Sequence, residues 1–256
     1  MTGPQGLGVG NIIALSFSVL LKNFPVVLAL GFLPAFGSIA ADGLLLGWDY
    51  AFFGELPGDS TSVLAMETLT IVGNFVFQGI GTALLVQLAY DAQMNRPVRA
   101  VSYARRVVVM AVPVIGLNFV VTVLILLGLL AFILPGLWVY VVLSLVMPCV
   151  VIEGAGFNAM KRSSALTQGF RWPIFGVLLL MWVFSLLIGM VGAVVAAFVV
   201  SYVGYSTFGI LGALIAFSVA FALAIGVTAI AIALVYARMR EIKEGVGLDD
   251  LASVFE

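Results

Sequence analysis

The sequence predicts an all-α polytopic membrane protein: six transmembrane helices forming three hairpins, each preceded by a short cytoplasmic interfacial helix. Three observations predict it. Of the 256 residues, 63% are hydrophobic and 9% charged, with a mean hydropathy of +1.25, whereas about a quarter of a soluble domain is charged. Six apolar runs approach or exceed the length needed to cross a bilayer. All 11 Lys and Arg residues fall on one side of the resulting six-span chain.

Each run is expected to be helical, because lipid offers no partner for an open backbone N–H or C=O. The runs are residues 24–46, 65–90, 107–134, 137–152, 174–203 and 208–236. Segments of mixed polarity precede the first, third and fifth: "VGNIIALSFSVLLKNF", "RPVRAVSYARRVVVMAV" and "GFNAMKRSSALTQGF". In the second of these, Val101, Ala104 and Val108 share a helical spacing, with Arg99, Arg105 and Arg106 mainly elsewhere on the wheel. This pattern suits a helix lying in the membrane interface. Pro25, Pro113 and Pro173 each open the following apolar run. The chain therefore reads as one integral membrane domain built from three units, residues 9–92, 96–154 and 155–240, with a short cytoplasmic tail at 241–256.

Between the third and fourth runs there is only Pro135-Gly136, where the chain is expected to reverse. The fourth run has about 16 residues, or ~24 Å of helix, short of a ~30 Å hydrocarbon core. Pro148 has no N–H for the Ser144 carbonyl, which predicts a bend or a hinge there.

Charge sets the orientation. The first outer loop, "GWDYAFFGELPGDSTSVLAMET", carries only the acids Asp49, Glu55, Asp59 and Glu67, and the other two outer connections carry no charge. The positive-inside bias then places both termini and the basic loops in the cytoplasm, in a bacterial inner membrane. The opening "MTGPQGLGVGN" has no basic stretch ahead of an apolar core and is read as no removable signal peptide.

Several short motifs lie along the chain: Pro135-Gly136, Pro148, Glu153-Gly154, "KRSSALTQG" from Lys161 to Gly169, and "VYARMREIKEG" from Val235. With them, residues from about Asn11 to Gly245 resemble a broad bacterial family of six-span membrane proteins. That family includes the YciC-like proteins and the membrane domain attached to some glycerophosphodiester phosphodiesterases. Its tail usually runs Tyr-x-Asp-Leu-Arg-x-Arg; here Ala237 and Arg238 follow Tyr236, so the acid is missing. The resemblance implies an architecture rather than an activity, since the phosphodiesterase chemistry belongs to a separate soluble domain that is not read in this sequence.

The residues offer little for catalysis. There is no histidine, the commonest general base and metal ligand, and Cys149 is the sole cysteine. Two inner-side acids, Asp91 and Glu153, are far apart in sequence. The expectation is a protein that is not an enzyme, with no metal site and no cofactor. Glu153 is read as a partner for Lys161 or Arg162, or as a favourable charge at the start of the helix that follows.

On the second run Asn74, Gln78 and Thr82 recur every four residues, and Asn118 and Thr122 do so on the third. They either glue helices together or line a path for a solute. No charged residue is read well inside a span, which argues against ion-coupled transport. Small residues recur at the same spacing on the last two runs: Ser185, Gly189, Ala193, Ala197 and Ser201, then Gly212, Ala216, Ala220, Ala224 and Thr228. These strips are expected to face each other, or alternatively an oligomer partner. Arg99, Arg105, Arg106, Glu153, Lys161, Arg162 and Arg171 are the candidates for anchoring the interfacial helices or anionic lipid. Two functions remain: an accessory or scaffold that organises a membrane partner or anionic lipids, or a carrier or channel for a small neutral or amphipathic solute. The partners expected are the bilayer, its anionic lipids and another membrane protein, and no nucleic acid.

Overall fold

The computed structural model describes residues 7–58 and 60–245, and every regular element among them is helical. Asp59 and the tail beyond 245 lie outside the described residues. The chain begins with α1 (Val9–Lys22), α2 (Phe24–Leu46), α3 (Trp48–Phe53) and α4 (Thr61–Gln93). It continues through α5 (Ala100–Val109), α6 (Ala111–Ala131), α7 (Ile133–Leu143) and α8 (Val146–Val151). A 3₁₀ turn at Gly156–Asn158 leads into α9 (Ala159–Thr167), α10 (Arg171–Val203) and α11 (Thr207–Glu244). Helices α2, α4, α6, α10 and α11, together with the combined stretch Ile133–Val151, are long and apolar enough to cross a membrane.

The short helices join the long ones through sharp elbows. Asn23 alone separates α1 from α2, and its side-chain amide donates to the Val19 carbonyl at 3.0 Å. Met110 alone separates α5 from α6. Pro25, Pro113 and Pro173 all fall in the first turn of the helix that follows, where a missing N–H leaves no intrahelical bond unmade.

The turn between the third and fourth spans differs from the expectation. The break is at Phe132, whose backbone is extended (φ −171°, ψ 152°), and Pro135 and Gly136 already belong to α7. Pro135 sits in the first turn of that helix, where it is tolerated. Gly136 is there for closeness: a Cβ added to Gly128 would lie 2.8 Å from its Cα. The fourth span is then two helices rather than one bent helix. Its gap at Ser144 and Leu145 lies just ahead of Pro148, whose missing N–H leaves the Ser144 carbonyl without its helical donor.

Helix α11 is the hub, packing along α10, α2 and α4, while α6 packs along α7. Burial differs sharply among the spans. Only 11% of the most apolar window of α6 is buried, against 56% for Ile133–Val151. The outer surface of α10 presents Leu179, Trp182, Leu186, Met190 and Phe198, an apolar exterior that needs lipid rather than water around it. The connection between α2 and α4 holds a helix that periodicity alone did not reveal. Within α3, Phe52 is buried against a small second core of Ile39, Ala196, Val200, Ala213 and Leu214.

Candidate functional site

The densest polar cluster lies where α8, α9 and α11 meet. Glu153 follows α8 by two residues, Arg162 sits on α9, and Tyr236, Arg240 and Glu244 share one face of α11 at four-residue spacing. Arg162 grips Glu153 through Nε, at 3.2 Å and 2.9 Å from the two carboxylate oxygens, and through Nη2 at 2.9 Å. The Tyr236 hydroxyl donates to the same carboxylate at 2.8 Å. Arg162 also bonds Glu244, and Arg240 Nε lies 3.0 Å from Glu244 and 3.8 Å from Glu153. The Glu153 carboxylate, with Glu244 beside it, holds the Arg162 guanidinium well above its ordinary proton affinity. Two acids and two arginines thus cancel in charge. Each of the two carboxylates has a guanidinium on it, a geometry that ties these elements together. Lys161, the other candidate partner of Glu153, is exposed.

Next to Arg162 on α9, Ser163 is fully buried and enters the gap in the fourth span. Its hydroxyl accepts the Leu145 N–H at 3.2 Å and donates to the Val142 carbonyl at 2.7 Å. The helix α9 is therefore attached both by charge and by the backbone of a broken span. Nothing in the spacing of "KRSSALTQG" distinguishes Ser163 from Ser164.

Helix α5 is attached through its middle. Tyr103 and Val107 are its buried residues, and the Tyr103 hydroxyl donates to Asp91 at 2.7 Å. Burial, together with that carboxylate, pushes the Tyr103 phenol up to about 12. Arg106 donates to the Ile152 carbonyl at 3.0 Å. Arg99 and Arg105 are exposed and form no salt bridge among the described residues. Val101, Ala104 and Val108 also face outward.

The polar residues of the second and third runs serve two separate joints. Asn74 accepts from Ser38 at 2.6 Å and donates to both carboxylate oxygens of Asp42 at 3.2 Å, linking α4 to α2. Asn118 donates to the Phe75 carbonyl at 2.9 Å, linking α6 to α4, and Thr122 donates to the Asn118 carbonyl at 2.8 Å. Gln78 faces outward and Thr82 is half-buried. Two clefts lie elsewhere. The first is an apolar space of about 190 Å³ between α4, α5 and α6, and the second, of about 290 Å³, lies between α6, α7 and α10. Asn74, Gln78 and Asn118 line neither. Asp42 is a charge within the first span but near its end: it sits in the last turns of α2, half-buried. A lone acid near the end of an apolar run reads easily as the boundary of the run.

The small-residue strips also need correction. Ser185 donates to the Ala224 carbonyl at 2.9 Å and meets Thr228 at 2.8 Å, so it does face α11. The next small residues of α10 to do so are Gly192, where an added Cβ would collide with Ala220, and the fully buried Ala196. Gly189 has open space around it, and Ala193 and Ala197 are half-buried. Ser201 turns back to the Ala197 carbonyl. On α11, Ala220 and Ala224 are buried, Gly212 approaches Val199, and Ala216 is half-buried. Arg171, at the start of α10, stacks over the Trp138 ring with its guanidinium carbon 4.9 Å from the centroid.

No family model, curated protein or solved structure matches the chain.

Proposed function

We propose that this chain is a non-enzymatic accessory or scaffold of a bacterial inner membrane, organising anionic lipids or a membrane partner at its cytoplasmic side. In this arrangement the six spans form three hairpins, both termini are cytoplasmic, and α1, α5 and α9 lie at the inner interface. The observation that carries the proposal is the surface of α5. Val101, Val108 and Val109 are 84%, 75% and 75% exposed, on a helix whose Arg105, with Arg99 just ahead of it, is also exposed, and neither arginine forms a salt bridge among the described residues. Valines uncovered by protein suit acyl chains, and arginines beside them suit headgroup phosphates, at about 1 kcal/mol per basic residue near an anionic surface. The resemblance to the YciC-like family supports the same architecture. A solute carrier is less favoured, because Asn74 and Asn118 are used in joining helices.

Purification in mild detergent, with quantification of bound phospholipid and identification of co-purifying proteins, tests the proposal. Anionic phospholipid enriched over the bulk membrane, or a stoichiometric protein partner, is expected. A chain that loses all lipid without losing stability, and that brings no partner, would overturn it.

A further inference from the structure

Arg171 is half-buried, with one nitrogen in an unusual position. Its Nε is withdrawn from solvent yet bonds no described atom, and the residue forms no salt bridge among the described residues. A guanidinium donor removed from water without an acceptor is costly and calls for a partner. The Trp138 ring does not supply one. The ring, 4.9 Å from the guanidinium carbon, attracts the cation but offers no oxygen lone pair to an N–H donor.

The same residue borders the cleft of about 290 Å³ between α6, α7 and α10. The other walls are Leu124, Trp138, Val139, Val142 and Leu143, so Arg171 is the one charged side chain among the described residues that line it. Trp138 and Leu124 are themselves 45% and 36% exposed, which puts the mouth of the cleft at the surface of the bundle. Trp172 packs edge-on against Trp138, with ring centroids 6.4 Å apart. Trp172 beside Arg171 at the start of α10 matches the level of lipid headgroups, where indoles and cations concentrate.

We infer that this cleft is a binding site for an anionic amphiphile, its phosphate on the free edge of Arg171 and its acyl chain along the wall formed by Leu124, Val139, Val142 and Leu143. The phosphate binds the Nη donors, which keep the solvent access that Nε lacks, and supplies the counter-charge missing beside Arg171, in the planar geometry that favours arginine over lysine. The apolar wall selects a phosphate attached to a chain over free phosphate. This assigns a place to the lipid half of the proposed function and rests on it.

The test uses the whole chain in nanodiscs of phosphatidylcholine, with and without phosphatidylglycerol, read as the shift of the thermal midpoint. Phosphatidylglycerol raises the wild-type midpoint. Arg171→Gln reduces that rise at least about threefold, and so does Val139→Trp, which fills the groove while leaving the arginine in place. Val139→Trp decides the matter should Arg171→Gln fail to fold. Millimolar inorganic phosphate in phosphatidylcholine discs gives no comparable rise; an equal rise would make the site a phosphate site and overturn the amphiphile. A full phosphatidylglycerol effect in both variants overturns this site but leaves lipid binding at α5 standing, where Arg99→Gln with Arg105→Gln would then abolish it. No effect on the wild type overturns the site, and the scaffold function then rests on the protein partner sought by co-purification.

Discussion

Ser163 of α9 bonds both lips of the break in the fourth span, accepting the Leu145 N–H and returning a hydrogen bond to the Val142 carbonyl. Without it, a donor and an acceptor would be stranded in an apolar interior. We predict that Ser163→Ala destabilises the protein by about 1–3 kcal/mol, the cost of leaving buried polar groups unpaired. Thermal denaturation in detergent measures it. An unchanged midpoint would mean that the break is satisfied without α9.

The Glu153–Arg162 pair is the second attachment of α9. Because Glu244 also holds Arg162, and Tyr236 also holds Glu153, removing one member leaves its partners partly satisfied. A double-mutant cycle of Glu153→Gln with Arg162→Met should show favourable coupling of about 0.5–3 kcal/mol, reduced at high salt because the pair is partly exposed. Zero coupling would remove the ion pair from the stability of the helix.

The interface of α10 with α11 separates two glycines. Gly192→Leu should destabilise the bundle by about 1–3 kcal/mol or more, since the side chain would be forced into Ala220, whereas Gly189→Leu enters open space and should be nearly neutral. Equal effects of the two substitutions on the thermal midpoint would contradict this packing.

Much of the fold was legible because lipid forces apolar runs to be helical. The span predicted at 24–46 coincides with α2, and the elbow prolines mark the starts of α2, α6 and α10. The packing phase was harder to read. Residues four apart drift by about 40° per step around a helix, so a strip from Ser185 to Ser201 turns away from its neighbour, while Ser185 and Gly192, two turns apart, stay in line. Tyr236, Arg240 and Glu244 meet Glu153 or Arg162 only across about eighty residues of sequence, beyond the reach of any local pattern. The phosphate partner proposed for Arg171 had a sequence signal, a basic residue beside Trp172 and Pro173, but the missing hydrogen bond is visible only in three dimensions.

The Tyr103 phenol gives a pH signature. Burial and Asp91 raise its folded-state value from the usual 10.0 to about 12, so the folded protein holds that proton more tightly than the unfolded chain. The corresponding stability is complete below pH ~10 and is lost as pH rises towards ~12. The stability difference between the wild type and Tyr103→Phe should therefore shrink across that window. Parallel pH profiles for the two proteins would show that Tyr103 is not perturbed.

Most directly, cysteine accessibility in intact cells tests whether the basic end of the bundle faces the anionic cytoplasmic leaflet. In a Cys149→Ser background, a membrane-impermeant maleimide should label Glu55→Cys in intact cells and Arg99→Cys only after permeabilisation. Labelling of Arg99→Cys from outside intact cells would contradict the orientation, and with it the cytoplasmic lipid-organising role.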